Sequence, residues 1–78
     1  MMENPAEIAV KQVEQIAELF GSQAELAKAL GLSRKNVTEW KARGYGIPPK
    51  HYRRLFYAAQ ERQLELPEWF PRFQDTAA

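Results

Sequence analysis

The chain has 78 residues, 45% of them hydrophobic, with nine aromatic side chains and no cysteine. That length suits one domain with a modest core, and the lack of cysteine excludes disulfides, thiolate chemistry and cysteine zinc sites. No apolar run is long enough to span a bilayer and no signal-peptide pattern opens the chain, so a soluble cytoplasmic protein without membrane contact is expected. The net charge of +1 hides a segregation: residues 1–27 sum to −4, residues 28–54 to +7 and residues 55–78 to −2. A basic stripe on a nearly neutral protein is a footprint for phosphate, while acidic flanks discourage indiscriminate coating of nucleic acid.

In chain order the pattern predicts about five short helices in an all-α bundle. Asn4-Pro5-Ala6-Glu7 is a helix start, with an Asn cap, proline in the first turn and a glutamate three residues after the cap. Ile8, Val13, Ile16, Ala17 and Phe20 follow at helical spacing and Gly21 closes the helix. Ser22 and Glu25 form a second capping box, opening helix two near Gln23. Ser33 caps helix three, which runs to about Arg43 before Gly44. Gly44-Tyr45-Gly46-Ile47-Pro48-Pro49 is irregular, and Pro49 starts a fourth helix reaching about Gln63, with Tyr52, Leu55, Phe56 and Ala59 inward. Pro67 and Pro71 bracket a short final helix or turn carrying Trp69 and Phe70.

Residues 23–42 carry the most information. Two short helices joined at Gly31, the second polar on its outer face, have the form of a helix-turn-helix, whose second helix enters the DNA major groove. Ala27 is small where the helices approach, Gly31 supplies a backbone able to take positive φ, and Val37 and Trp40 point inward one turn apart, with Leu26, Leu30 and Leu32 between. The whole chain, 1–78, thus reads as a single DNA-binding domain with an aromatic tail over residues 64–78.

The run from Phe20-Gly21-Ser22-Gln23 to Trp40, followed by Gly46-Ile47-Pro48-Pro49 and an aromatic helix, resembles the short Cro and CI-type phage repressors. It is nearest to the all-helical Cro branch and the YdaS-like antitoxins. The resemblance covers about Val13 to Gln63 and implies a lambda-repressor-like fold in which helix two braces the DNA backbone and helix three reads bases. One departure is that nothing after Gln63 has the hairpin pattern some Cro proteins use to dimerise.

Helical geometry turns Arg34, Lys35, Thr38 and Glu39 outward, with Asn36 nearer the flank. Arginine or lysine donates to guanine, asparagine pairs with adenine, glutamate accepts from cytosine and a threonine methyl meets thymine. Glu39 has a second reading, an i,i+4 pair with Arg43. Phosphate contacts are expected from Ser22, Gln23 and Ser33 at the helix starts, and from Lys41, Arg43, Lys50, Arg53 and Arg54 along the basic rim. Four or five such contacts give a logarithmic salt slope of roughly −0.9 each. Tyr45 either meets the DNA backbone or covers the core below Trp40, the covering role being preferred. His51, the sole histidine, has no ligand set around it in sequence, so no metal or cofactor is expected.

Trp69, Phe70 and Phe73 either close the protein's own core or form a dimer contact, and the tail is also the surface offered to a protein partner. A single small helix-turn-helix gains affinity by pairing on two half-sites, so a homodimer is expected at least on DNA. The leading function is a sequence-specific regulator of double-stranded DNA, a repressor of Cro type on a palindromic operator. The alternative is an antitoxin-like or polymerase-binding interaction module. Enzymatic activity is not expected, since no nucleophile–histidine set, phosphate-cradling glycine loop or metal cluster stands in the sequence.

Overall fold

In the computed structural model, which describes residues 4–73, the first helix begins where its cap chemistry demands. Asn4 Oδ1 accepts from the Glu7 amide at 2.8 Å and Pro5 follows, so α1 spans Pro5–Phe20 and stops at Gly21. Ser22 Oγ accepts from the Glu25 amide at 3.1 Å and opens α2, Gln23–Ala29. The chain turns through Leu30–Ser33, with Gly31 at φ +71°, and enters α3, Arg34–Arg43. A 3₁₀ turn, Pro49–His51, leads into α4, Tyr52–Glu61.

Two expectations need correction. The described residues form four α-helices rather than five, because the Trp69–Phe70 segment makes only a turn, closed by a 3.0 Å bond from the Phe70 amide to the Pro67 carbonyl. Pro71 lacks an amide hydrogen and disfavours a helical Phe70, so the turn cannot propagate. The fourth helix is also shorter than expected. Its proline-led start is 3₁₀, and its end bends back at Gln63 (φ +56°), whose neighbour Leu64 donates to the Ala59 carbonyl at 2.8 Å. No strand occurs among the described residues.

The apolar stripes meet in one core: Val13, Ile16 and Ala17 of α1, Leu26 and Ala27 of α2, Val37 and Trp40 of α3, and Leu55, Phe56 and Ala59 of α4. Leu30 and Ile47 fill the turns, and Leu66 and Phe70 fold back from the tail. Phe70 is only 1% exposed, a burial that contributes roughly 1.5–3 kcal/mol. Ile8 lies off the inward face of α1 and is 45% exposed, unlike the rest of its predicted stripe. One backbone approach is especially close. Gly44 closes α3 in the left-handed region (φ +66°), and a Cβ there would lie 2.8 Å from Ala6 Cβ. The end of α3 is thereby pressed onto the first turn of α1.

Candidate nucleic-acid interface

With Val37 and Trp40 buried, α3 presents Arg34, Lys35, Asn36, Thr38, Glu39, Ala42 and Arg43 as exposed residues. Ala42 is the member that sequence reading did not single out. The face divides into two edges. Toward α2, Thr38 Oγ1 donates to Gln23 Oε1 at 3.3 Å, and Arg34 lines a shallow depression with Ser22, Gln23 and Ala24. Helix-start residues and base-reading candidates therefore lie side by side.

On the opposite edge, Asn36, Glu39, Arg43 and Tyr45 line a small cleft with Trp40 and Pro48. Arg43 Nε pairs with Glu39 Oε1 at 3.0 Å, the i,i+4 contact that was the second reading of Glu39. The Arg43 guanidinium also stands 6.0 Å from the Tyr45 ring centre. The neighbouring Tyr45, and then the charge of Glu39, push the Arg43 pKa further up. Tyr45 is 70% exposed and does not cover the core as expected. The ring beside Trp40 is His51, at 5.6 Å between centroids. Burial, aided by Lys50 and Arg54, holds the His51 pKa below its ordinary value.

Asn36 has a local task. Its Oδ1 accepts from the Ser33 amide at 3.1 Å and from Ser33 Oγ at 3.0 Å, closing the start of α3 as a capping box. The spacing of Ser33 and Asn36 carried that signal in the sequence. Both residues expected at the DNA surface are thus tied to each other first.

The remaining cations lie elsewhere. Lys41 turns toward α1 and pairs with Glu14 at 3.1 Å. Lys50, Arg53 and Arg54 join Lys28 and Arg62 in a groove of about 600 Å³ between α2 and α4. Arg54 Nη1 donates to the Leu30 carbonyl at 3.0 Å, closing the end of α2. Lys28 and Arg62 were not singled out in sequence, because only packing brings them beside residues some 25 and 35 positions away. In the tail, Trp69 Nε1 donates to Gln15 Oε1 at 3.0 Å and remains 38% exposed, whereas Phe73 packs against Phe56 at 5.7 Å and Phe70 is within the core. Residues 74–78 of the expected tail lie outside the described residues. No group of three or more potential metal ligands occurs among the described residues, and no helix there is long and apolar enough to cross a membrane.

The family described as bacterial toxin YdaS matches residues 13–64, from the middle of α1 to just beyond α4. The chain belongs to this family. No curated protein and no solved structure matches. In this YdaS-family chain the matched span contains α2, α3 and α4 entire, and so every cation of both surfaces, while leaving out the capped start of α1 and the Trp69–Phe73 tail.

Proposed function

We propose that the chain is a sequence-specific regulator of double-stranded DNA, with α2–α3 as a Cro-type helix-turn-helix. The observation that carries this reading is the outer face of α3. Arg34, Lys35 and Thr38 are exposed together there, and Thr38 is hydrogen-bonded to Gln23 at the start of the preceding helix. Base-edge chemistry thus stands directly beside groups suited to phosphate, the arrangement a helix in the major groove requires. Arg34 and Lys35, in the first turn of α3, donate to guanine, the Thr38 methyl meets thymine, and Glu39 accepts from cytosine at the cost of its pair with Arg43. Asn36, whose oxygen is occupied by Ser33, supports the helix start in this reading. Binding is to a two-fold-symmetric operator as a homodimer, and repression follows from occlusion of the promoter.

Selection of bound sequences from a random duplex library, with binding repeated at two salt concentrations, tests this. One enriched symmetric motif that survives physiological salt is expected. No enrichment, with binding lost as salt rises, overturns it.

The family's description, a bacterial toxin, favours a second reading, in which the chain acts as a toxin, tested as arrest of growth on expression. Inducible expression of the wild type beside Arg34→Ala/Lys35→Ala separates the two. Arrest relieved by the substitutions acts through the α3 face, whereas arrest that persists requires another surface.

A further inference from the structure

The groove between α2 and α4 is distinct in lining from the α3 face and is built differently. Its cations are Lys28, Lys50, Arg53, Arg54 and Arg62, with Glu61 the one acidic group lining it among the described residues. None of the five has an ion pair with a carboxylate among the described residues. The three arginines are nevertheless held in place. Arg53 stands over the Phe73 ring at 5.3 Å, Arg62 over the Phe20 ring at 5.6 Å while donating to the Ala58 carbonyl at 3.1 Å, and Arg54 donates to the Leu30 carbonyl. Such guanidinium groups are oriented by rings and carbonyls but not neutralised, so a planar anion gains two-point hydrogen bonds without first ordering the side chains.

We infer that this groove is a docking site for an acidic amphipathic segment of a partner protein. Charge complementarity selects acidic chemistry. The apolar part of the lining, Ala29, Tyr57 and Ala58, selects a peptide over a duplex backbone, because a peptide brings apolar side chains among its carboxylates and a phosphodiester chain does not. Arg53 and Tyr57 stand four residues apart on α4, matching the period of a helical ligand that alternates carboxylate and apolar side chains along one face. The groove extends the function of the chain beyond the α3 face, and the inference stands whether or not that face reads DNA.

The test uses the full chain and a fluorescein-labelled 14-residue peptide of glutamates with leucine at every third or fourth position, followed by anisotropy. A peptide with the leucines replaced by serine is the control. Lys50→Glu/Arg53→Glu is expected to weaken binding of the leucine peptide roughly tenfold or more, with helix content unchanged by circular dichroism. Lys28→Glu, which disturbs no described contact, lowers it less. The serine peptide binds more weakly than the leucine peptide. Equal affinity of wild type and both variants for the peptide overturns the inference. So does equal affinity for the two peptides, or displacement of the peptide by a random-sequence duplex whose own affinity falls in the same variants, which makes the groove part of a nucleic-acid surface. Loss of an enriched operator with peptide binding intact removes the DNA reading alone.

Discussion

On the outer face of α3, Arg43 is matched by Glu39 and Thr38 by Gln23, leaving Arg34 and Lys35 as the cations without a partner among the described residues. In the groove between α2 and α4, five cations stand without a carboxylate partner among the described residues, and three are held by rings or carbonyls. The first surface is sparse in charge and varied in chemistry, which suits the base-edge discrimination proposed for it. The second is rich in charge and carries the apolar Ala29, Tyr57 and Ala58 among its cations, the mix that suits the acidic amphipathic segment inferred for it. The summed charge of +7 over residues 28–54 is therefore divided in space, between the α3 face, the groove and the Lys41–Glu14 pair.

The largest expected effect falls on the first surface. Arg34→Ala/Lys35→Ala should weaken binding to the proposed operator by at least about thirtyfold, since loss of a base-reading cation costs roughly 1–3 kcal/mol each. A melting curve should show stability unchanged, because neither side chain packs in the core. Arg54→Met comes next. It removes the donor that closes α2 and should lower stability by about 1 kcal/mol, read as a lower urea midpoint at constant slope. An unchanged midpoint would mean that groove and turn are energetically independent. Glu39→Gln should shift stability by less than about 0.5 kcal/mol, as expected for an exposed i,i+4 pair. It should also steepen the salt dependence of duplex binding, because it leaves Arg43 unmatched; an unaltered slope would place Arg43 away from phosphate.

The smallest effect is a pH dependence. The folded pKa of His51 is lowered by burial and then by Lys50 and Arg54, so the unfolded chain binds that proton more readily. The contribution of His51 to stability is thus complete above its unfolded pKa of about 6.5 and is lost as pH falls through the folded value. His51→Gln should flatten this part of the stability profile relative to wild type. An anion in the groove beside Lys50 and Arg54 should raise the His51 pKa, visible in an NMR titration of the imidazole.

The first three helices were legible because their signals are local. Asn4, Ser22 and Ser33 each sit immediately before a segment whose apolar residues recur at helical period, and caps act within three or four residues. The buried set of Leu26, Ala27, Leu30, Val37 and Trp40 was readable for the same reason. What failed depended on tertiary geometry. Two prolines left the Trp69 segment undecided between helix and turn, and only the docking of Phe70 into the core made the turn sufficient. Tyr45, between two glycines in the irregular loop, was expected to cover the core below Trp40, yet the ring beside Trp40 is His51, delivered by the 3₁₀ turn. At the candidate site, Arg34, Lys35, Thr38 and Glu39 follow from the helical period once Val37 and Trp40 are inward. The grouping of Lys28, Lys50, Arg53, Arg54 and Arg62 does not follow, because it requires knowing which side of α4 meets α2.

The two tryptophans differ in setting, one 8% exposed in the core beside His51, the other 38% exposed and hydrogen-bonded to Gln15 across the seam between tail and α1. The chain accordingly carries two intrinsic optical labels in unlike dielectric surroundings. Emission from the seam indole should redden and lose anisotropy when the tail peels from α1, while the core indole keeps its blue-shifted spectrum until the bundle melts. Single-tryptophan variants would turn that contrast into separate clocks for detachment and unfolding.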